Sequence, residues 1–441
     1  MKSAASTETG SSRRLKKLLE RNRRSGKGGV YSVCSAHPSV IEAAFQDAIA
    51  DQSIFCVEST SSQVNQEGGY IGQTPREFSI FIYSAASNAG FPPDQIILGG
   101  DHLGPFPWRN QDASVAMERA SELVRACVLA GYQKIHLDAS MACADDLQNT
   151  LLSAALIAER AAVLAEAAES AFEELPIDSV PPMYVIGTEV PAPGGETTAG
   201  APPTVTTNAD VEHTMESFRS AFVQRGLAAA WERVIALVVQ PGVEFGDDVV
   251  FPYDREKARG LCSALPRDIP IVYEAHSTDY QSTQSLREMV EDHFAILKVG
   301  PWLTFAFREA IFALSAMERE LLGGNRAIRL SEVRQALENA MLRNPTHWRS
   351  YYHGDEVKQR FSRAYSYSDR CRYYWPEAEV QNEIARLFAN LQDKPLPATV
   401  VSQYLPLEYE AYRAGSLSTR PRNLVRHHIQ AILHQYAKAC E

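Results

Sequence analysis

Apolar residues in this chain gather in short, nearly unbroken runs, separated by longer stretches in which they recur at every third or fourth position. The runs are "VYSVCS" (Val30 to Ser35), "IFCVES" (Ile54 to Ser59), "IILGGDH" (Ile96 to His102) and "KIHLDA" (Lys134 to Ala139). Four more follow: "MYVIGTEV" (Met183 to Val190), "VIALVVQPG" (Val234 to Gly242), "PIVYEAH" (Pro270 to His276) and "AILKVG" (Ala295 to Gly300). Runs this short, β-branched and hydrophobic at consecutive positions match parallel strands covered on both faces. Between them, segments such as "PSVIEAAFQDAIA", "TPREFSIFIYSAASNAG", "DASVAMERASELVRACVLAG" and "DREKARGLCSAL" have helical spacing, with Pro, Thr or Asp near their starts. Eight strand–helix units with right-handed crossovers close most simply into an α/β fold of the (β/α)8 type, a TIM barrel. An open doubly wound sheet is the alternative, because counting runs does not establish closure.

The barrel is expected to occupy residues 28–325. Residues 1–27 read as a flexible Ser/Thr/Gly-rich tail followed by a short surface helix, "RRLKKLLERNRR". Beyond residue 325 the strands cease, and "SEVRQALENAMLRNP", "EAEVQNEIARLFANLQ" and "LVRHHIQAILHQYAKACE" predict a helical C-terminal region, 326–441. It is expected to pack on the barrel or to make a subunit contact, as in a homo-oligomer. Two connections exceed a minimal barrel: "LLSAALIAERAAVLAEAAESAFEEL" predicts an extended helix, and "EVPAPGGETTAGAPPTVTTN" a long loop of a kind that is usually disordered or functional.

Composition narrows the partners. Forty-three Lys+Arg against 54 Asp+Glu give a net charge of −11, which argues against nucleic acid or an anionic membrane as partner but allows a small anion held by local cations. No apolar run approaches the ~20 residues that span a bilayer. Seven scattered cysteines without zinc-ribbon spacing suggest reduced thiols in a cytoplasmic protein.

In a barrel, reactive groups sit at the C-terminal ends of the strands, where loops vary freely. Those ends carry Ser35 and His37, Glu58, Asp101 and His102, His136 and Asp138, Glu189, Gln240, Glu274 and His276, and Lys298. A lone histidine at a strand end is more often structural than a ligand. Three of them, each near a carboxylate, point to a metal, because metal-bound imidazoles need such partners to fix their tautomer. His136 and Asp138 share one face of their strand, as do Glu274 and His276, whereas Asp101 and His102 reach the mouth together only if the strand ends or bulges there. A divalent cation with an open position, expected to be zinc, would suit His102 and His276 as ligands, completed by His136 or Glu189, with Asp101 as the proton-transfer carboxylate. In "VESTSSQVNQEGGY", Ser59, Gln63, Asn65 and Gln66 could bond sugar hydroxyls, or simply cap a surface loop. Lys298 lies where such barrels often hold phosphate, and could instead serve as a Schiff-base lysine. Asp369, Arg370 and Arg372 in "AYSYSDRCRYYW" offer a phosphate clamp or a salt-bridged insert. Lys134 begins its strand and is expected at the opposite end.

The motifs "SVCSAHP", "VESTSSQVNQEGGYIGQTPREF", "ILGGDHLGPFPW", "AGYQKIHLDASMAC", "GTEVPAPGG", "YEAHSTDYQ", "LKVGPWLTFAFREA" and "YSDRCRYYW" resemble the tagatose-bisphosphate aldolase Z-type subunit family, the GatZ/KbaZ group, from about residue 28 to the C-terminus. The resemblance implies a TIM barrel distantly similar to class II aldolases, whose Asp-His pair at a strand end corresponds in kind to Asp101-His102. It implies either of two roles: a non-catalytic subunit supporting a class II aldolase, or 4-epimerisation between D-tagatose 6-phosphate and D-fructose 6-phosphate.

A supporting subunit has little use for acids and imidazoles converging on one mouth, since each buried charge costs free energy unless paired or coordinated. The expectation is therefore an epimerase acting on a phosphorylated ketohexose by retro-aldol and aldol steps. Asp101 is the expected proton shuttle, with Glu189 or Glu274 as second choice. Asn65, Gln66 and Asp138 would contact the sugar, and Lys298 and Arg372 its phosphate.

Overall fold

The computed structural model describes residues 10–51, 53–147, 152–188, 202–266 and 269–441. Each of the eight apolar runs forms a strand: β1 Val30–Val33, β2 Phe55–Thr60, β3 Ile96–Leu103, β4 Lys134–Leu137, β5 Met183–Gly187, β6 Val234–Val238, β7 Val272–Ala275 and β8 Phe294–Val299. They are parallel, neighbours in sequence are neighbours in space, and β8 pairs with β1 to close the barrel. The fold is the TIM barrel, and the open sheet is excluded. A two-stranded antiparallel ribbon, Glu244–Phe245 with Val250–Phe251, is added after β6.

Alternation along the strands sorts the barrel interior into layers. Inward positions near the N-terminal ends are apolar: Val30, Cys56, Ile97, Val272 and Ile296 belong to one buried cluster. Two residues further on, the same faces carry Ser32, Glu58, Gly99, Glu274 and Lys298, because side chains on a strand repeat with period two. The lower barrel is thus a packed hydrophobic plug, and the upper barrel is polar. The outward faces join the helices in a second, larger core.

The helices follow their strands with chemically defined starts. Thr74 and Glu77 form a reciprocal capping box at Pro75–Ala89, Thr207 and Asp210 another at Asn208–Gln224, and Ser153 caps the long Ala154–Glu174 helix predicted in the fourth connection. The long loop after β5 lies outside the described residues up to position 201.

Two terminal helices do more than the sequence suggested. Gly10–Ser25 is not a surface helix: Leu15 and Leu19 are buried against the apolar lower layer of the barrel. Asn22 Nδ2 ties the helix to the carbonyls of Gly28 at 2.9 Å and Val290 at 2.8 Å. The open bottom of the barrel offers an apolar surface that water would otherwise cover, and the spacing of Leu15 and Leu19 places both on one helical face.

At the other end, the helix after β8, Pro301–Leu322, leaves the outer ring and carries the C-terminal helices. The last helix, Pro421–Cys440, returns to pack between Pro38–Asp51 and Thr283–Glu291, in the ring position the eighth helix would otherwise fill. The backbone N–H of Gly29 donates to the Cys440 carbonyl at 2.9 Å, joining the two ends of the barrel. The boundary drawn at residue 325 therefore divides elements that the packing unites. No helix among the described residues is long and apolar enough to cross a membrane.

The N-terminal helix is open to a direct test. Leu15→Ala should lower stability by about 2–5 kcal/mol, as for other fully buried leucines, while Lys17→Ala on the exposed face should change little. Equal denaturant midpoints for the two variants would show that the helix does not seal the barrel.

Candidate active site and metal centre

The local sequence "GGDHLG" shapes the mouth. A Cβ at Gly99 would lie 2.9 Å from Glu58 Cγ and 3.1 Å from the Lys134 carbonyl, so glycine makes room for the two long side chains entering from β2 and β4. Past Gly100 the register with β4 shifts: Gly100 faces Ile135 but Leu103 faces Leu137, so β3 fits one extra residue. His102 absorbs the irregularity with φ 48°, a left-handed conformation that costs a histidine free energy. This bulge brings Asp101 and His102 to the mouth together. At Gly104 a Cβ would come within 1.6 Å of the Asp138 carbonyl, so only glycine lets the loop cross the end of β4.

Lys134 corrects its sequence placement. It begins β4, but β4 starts level with Gly99 because strands in a closed barrel are staggered. Its fully buried ammonium therefore lies inside the upper layer, 2.8 Å from Glu58 Oε1 and 2.6 Å from Glu274 Oε2. Lys298 Nζ lies 2.6 Å from Glu58 Oε2, 3.2 Å from Asp101 Oδ1 and 3.7 Å from Glu274 Oε1. Ser32 Oγ donates to Glu58 at 2.5 Å.

The histidines stand against this lattice. His136 Nδ1 is 2.9 Å from Asp101 Oδ1, and the His102 backbone N–H points at the same nitrogen from 3.2 Å. The shorter, charge-assisted contact sets the tautomer, so the proton resides on Nδ1. His276 Nε2 bonds Glu274 Oε1 at 3.0 Å, and His102 Nδ1 bonds Asp138 Oδ2 at 2.8 Å. The three ring centroids are 4.8 to 5.2 Å apart.

Burial and charge compete at every titrating group. Burial pushes Asp101 and Glu274 upward, but His102 and Lys298 at the first, and Lys134 and Lys298 at the second, hold both well below the usual carboxylate range. Burial lowers Lys134 and Lys298, yet the surrounding carboxylates raise both above an ordinary lysine. For His276 burial prevails and pulls it down to about 4. For His102 burial is outweighed by Asp101 and Asp138, and its affinity for a proton rises.

Asp101, His136, Glu274 and His276 each offer a ligand atom, and these atoms all lie within 4.8 Å of one another. His136 Nε2 is buried and has no hydrogen-bond partner among the described residues, as suits an atom reserved for a cation. Charge agrees: Glu58, Asp101 and Glu274 stand against Lys134 and Lys298 while Asp138 pairs with His102, so acids outnumber lysines in the cluster and favour a cation. The donors present fit a metal ion.

The cluster opens into a cavity of about 80 Å³. Asp101, His102, His276 and Lys298 line it, together with Asp279 and Arg372, while His136 and Glu274 stand behind. Asp138 accepts from the backbone and hydroxyl of Ser140 as well as from His102, so it orients an imidazole and does not reach the cavity. Asn65 and Gln66, expected to grip the sugar, are engaged elsewhere, Asn65 within its own loop and Gln66 against a neighbouring helix. Asn65 donates to the Ser61 carbonyl and accepts from Glu67 and Gly69, and Gln66 donates to the Arg119 carbonyl. Gln63, from the same motif, lines the cavity in their place. Arg370 stacks on Tyr351, and Asp369 bonds Thr304 Oγ1 at 2.6 Å, so of the three charged residues proposed from that motif Arg372 faces the site, beside Tyr373. Glu189 lies outside the described residues. Sequence reasoning missed Lys134 and Asp279; the pairing of Gly99 with Lys134 is the signal for the first, and it needs the register. Lys134→Met removes one partner of a buried network and should cost about 3–5 kcal/mol, read as a lower denaturant midpoint, although Lys134 does not line the cavity. A midpoint equal to wild type would show that this network does not hold the barrel.

Residues 15–441 match the model of the family described as D-tagatose-1,6-bisphosphate aldolase subunit GatZ/KbaZ-like. Among solved structures, a protein described as a probable tagatose 6 phosphate kinase from Sinorhizobium meliloti 1021 is 42% identical, with a TM-score of 0.84 over 93% of this chain and 100% of that one. Fructose-bisphosphate aldolase from Campylobacter jejuni is a distant likeness, 12% identical with a TM-score of 0.42 over 88% of this chain and 93% of its own. The YdjI aldolase from Escherichia coli K12 is similarly distant, 12% identical with a TM-score of 0.40 over 86% and 96%. The chain belongs to the GatZ/KbaZ-like family of D-tagatose-1,6-bisphosphate aldolase subunits.

Proposed function

We propose that this protein is a sugar-phosphate 4-epimerase that interconverts D-tagatose 6-phosphate and D-fructose 6-phosphate by carbon–carbon cleavage and re-addition. The observation that carries this reading is the intact convergence of three imidazoles with Asp101, Glu274 and Lys298 around one point facing a cavity. His136, through its unpartnered Nε2, would hold a divalent cation together with His276. His102 stands outside the four converging donors with Nδ1 taken by Asp138, and would have to bring in its Nε2 to complete three imidazoles, a set that suits zinc. When bound, the cation supplies Lewis-acid polarisation of the ketone.

The hydrogen on C4 is not acidic, so inversion by direct deprotonation is unfavourable. Cleavage of C3–C4 needs only loss of the 4-hydroxyl proton: the bonding pair moves to C3, giving an enediolate, and C4 becomes an aldehyde carbon. Rotation of that aldehyde and re-addition through its other face forms the epimer, and the same proton returns to the C4 oxygen. Asp101 is the shuttle in this reading. Its Oδ1 is committed to His136 and Lys298, while Oδ2 has only the longer contacts of 3.8 Å to Cys34 Sγ and to His102 Nε2. Held low by its neighbours, Asp101 is a weak base, but the Lys298 field that lowers it also acidifies a hydroxyl placed beside it. Glu274 is the poorer choice, because His276 and Lys134 engage its two oxygens.

Incubating the purified chain alone with D-tagatose 6-phosphate tests the reading. D-Fructose 6-phosphate should form, and a chelator should stop it. Release of trioses would indicate an autonomous aldolase, and ATP-dependent phosphorylation would indicate a kinase. No product, with faster turnover by an added class II aldolase, would indicate the supporting role. His102→Ala should reduce epimerisation by more than about a hundredfold with the fold retained, since even an outer-shell partner is worth 10- to 100-fold. Asp138→Asn should weaken metal affinity by about 10–100-fold, measured by competition with a chromophoric chelator. Unchanged affinity would remove Asp138 as the residue that positions His102.

A further inference from the structure

The two features that would ordinarily hold phosphate in such a barrel are already engaged by the protein's own carboxylates. Lys298 is paired with Glu58 and Asp101. At the start of helix Pro301–Leu322, the N–H groups of Gly300 and Trp302 donate to Asp279 Oδ1 at 3.0 and 2.8 Å. A phosphate dianion at either place would displace or oppose a carboxylate. The inner cavity is also small, at about 80 Å³.

A second chamber of about 420 Å³ opens beside it, between the loop after β1 and the C-terminal region. The two spaces share Cys34, Gln63, Tyr70, Gly300 and Arg372, so one ligand can extend from the first into the second. None of the described residues lining the outer chamber is acidic, and both Arg372 and Arg422 contribute to it. The Arg372 guanidinium donates to the carbonyls of Ser368 and Asp369 and to the Tyr373 hydroxyl, all neutral acceptors.

Unfilled hydrogen-bonding groups lie in the walls of the same space. Trp375 is only 1% exposed, yet its Nε1–H has no acceptor. His37 Nδ1 and Gln73 Oε1, in the same wall, are buried without partners as well. A buried group left unsatisfied costs about 1–3 kcal/mol, which a ligand drawn against this wall would relieve. Helix Pro38–Asp51 begins at this wall and presents its positive end.

We propose that the outer chamber binds the phosphate monoester end of the sugar, with Arg372, Arg422 and the Trp375 indole N–H as its donors, while the reacting carbons enter the inner cavity. This rests on the sugar-phosphate reading above. It gives the C-terminal region the task of selecting phosphorylated substrates, since Arg372, Trp375 and Arg422 all lie beyond the barrel strands.

Binding of inorganic phosphate to the full-length protein, followed by calorimetry, tests the subsite without requiring turnover. Wild type should bind saturably, and Arg422→Gln and Trp375→Phe should each weaken binding about tenfold or more. Arg422 is exposed, so Arg422→Gln should keep the wild-type melting temperature, whereas Trp375→Phe trims a buried ring and should lower it with the fold retained. Absent binding in wild type, or variants that bind as wild type does, would overturn the subsite. Failure of the two proposals is distinguishable. Phosphate binding that depends on Arg422 in a protein that forms no epimer sinks the reaction alone. Epimerisation with an unaltered KM for D-tagatose 6-phosphate in Arg422→Gln sinks the subsite alone.

Discussion

The structure depends on charge compensation inside the upper half of the barrel. Lys134 and Lys298 interleave with Glu58, Glu274 and Asp101, in contacts of 2.6 to 3.2 Å for the closest pairs, and none of the five reaches bulk water to any large extent. At an effective dielectric of about 20, a pair at such a distance gains about 6 kcal/mol, comparable with the several kcal/mol lost when each ion leaves water. Such a network stabilises the fold little in total, but removing any one member leaves its partners buried and unpaired. It holds Asp101 ionised and His136 in one tautomer, which prepares the mouth for a cation and a sugar.

The strands were legible because a parallel barrel strand buries both faces, and that leaves a continuous apolar run no helix of this amphipathicity would show. The strand ends, and so Asp101, His102, His136, Glu274 and His276, followed from those runs directly. What escaped was anything set by relations between strands. Lys134 reads as the first residue of a strand, and only the barrel's stagger reveals that it lies level with Glu58. Asn65 and Gln66 look like free amides in sequence, but a loop turning that tightly needs acceptors and donors for its own backbone, which Asn65 supplies, while Gln66 ties the loop to the Arg119 carbonyl of a neighbouring helix. The N-terminal helix reads as a surface element because its leucines are few among basic residues; Leu15 and Leu19, with Leu18 beside them, cover the barrel's apolar floor.

The C-terminal region is continuous with the barrel in both packing and chemistry. Its last helix completes the outer ring, and the motif around Arg372 forms the far wall of the cavity. A segment that contributes to both the core and the site is under two constraints at once, which explains the dense aromatic packing around it: His347 stacks on Tyr373 at 4.5 Å, and Tyr373 meets Tyr70 at 4.4 Å. Those rings hold Arg372 against the mouth without neutralising it.

The most direct measurement is crystallographic: diffraction at the zinc edge from protein loaded with zinc and D-tagatose 6-phosphate. The account predicts one anomalous peak amid His102, His136 and His276, with the sugar ketone against it and Asp101 beside the 4-hydroxyl. A peak elsewhere, or a sugar seated away from these side chains, would contradict it.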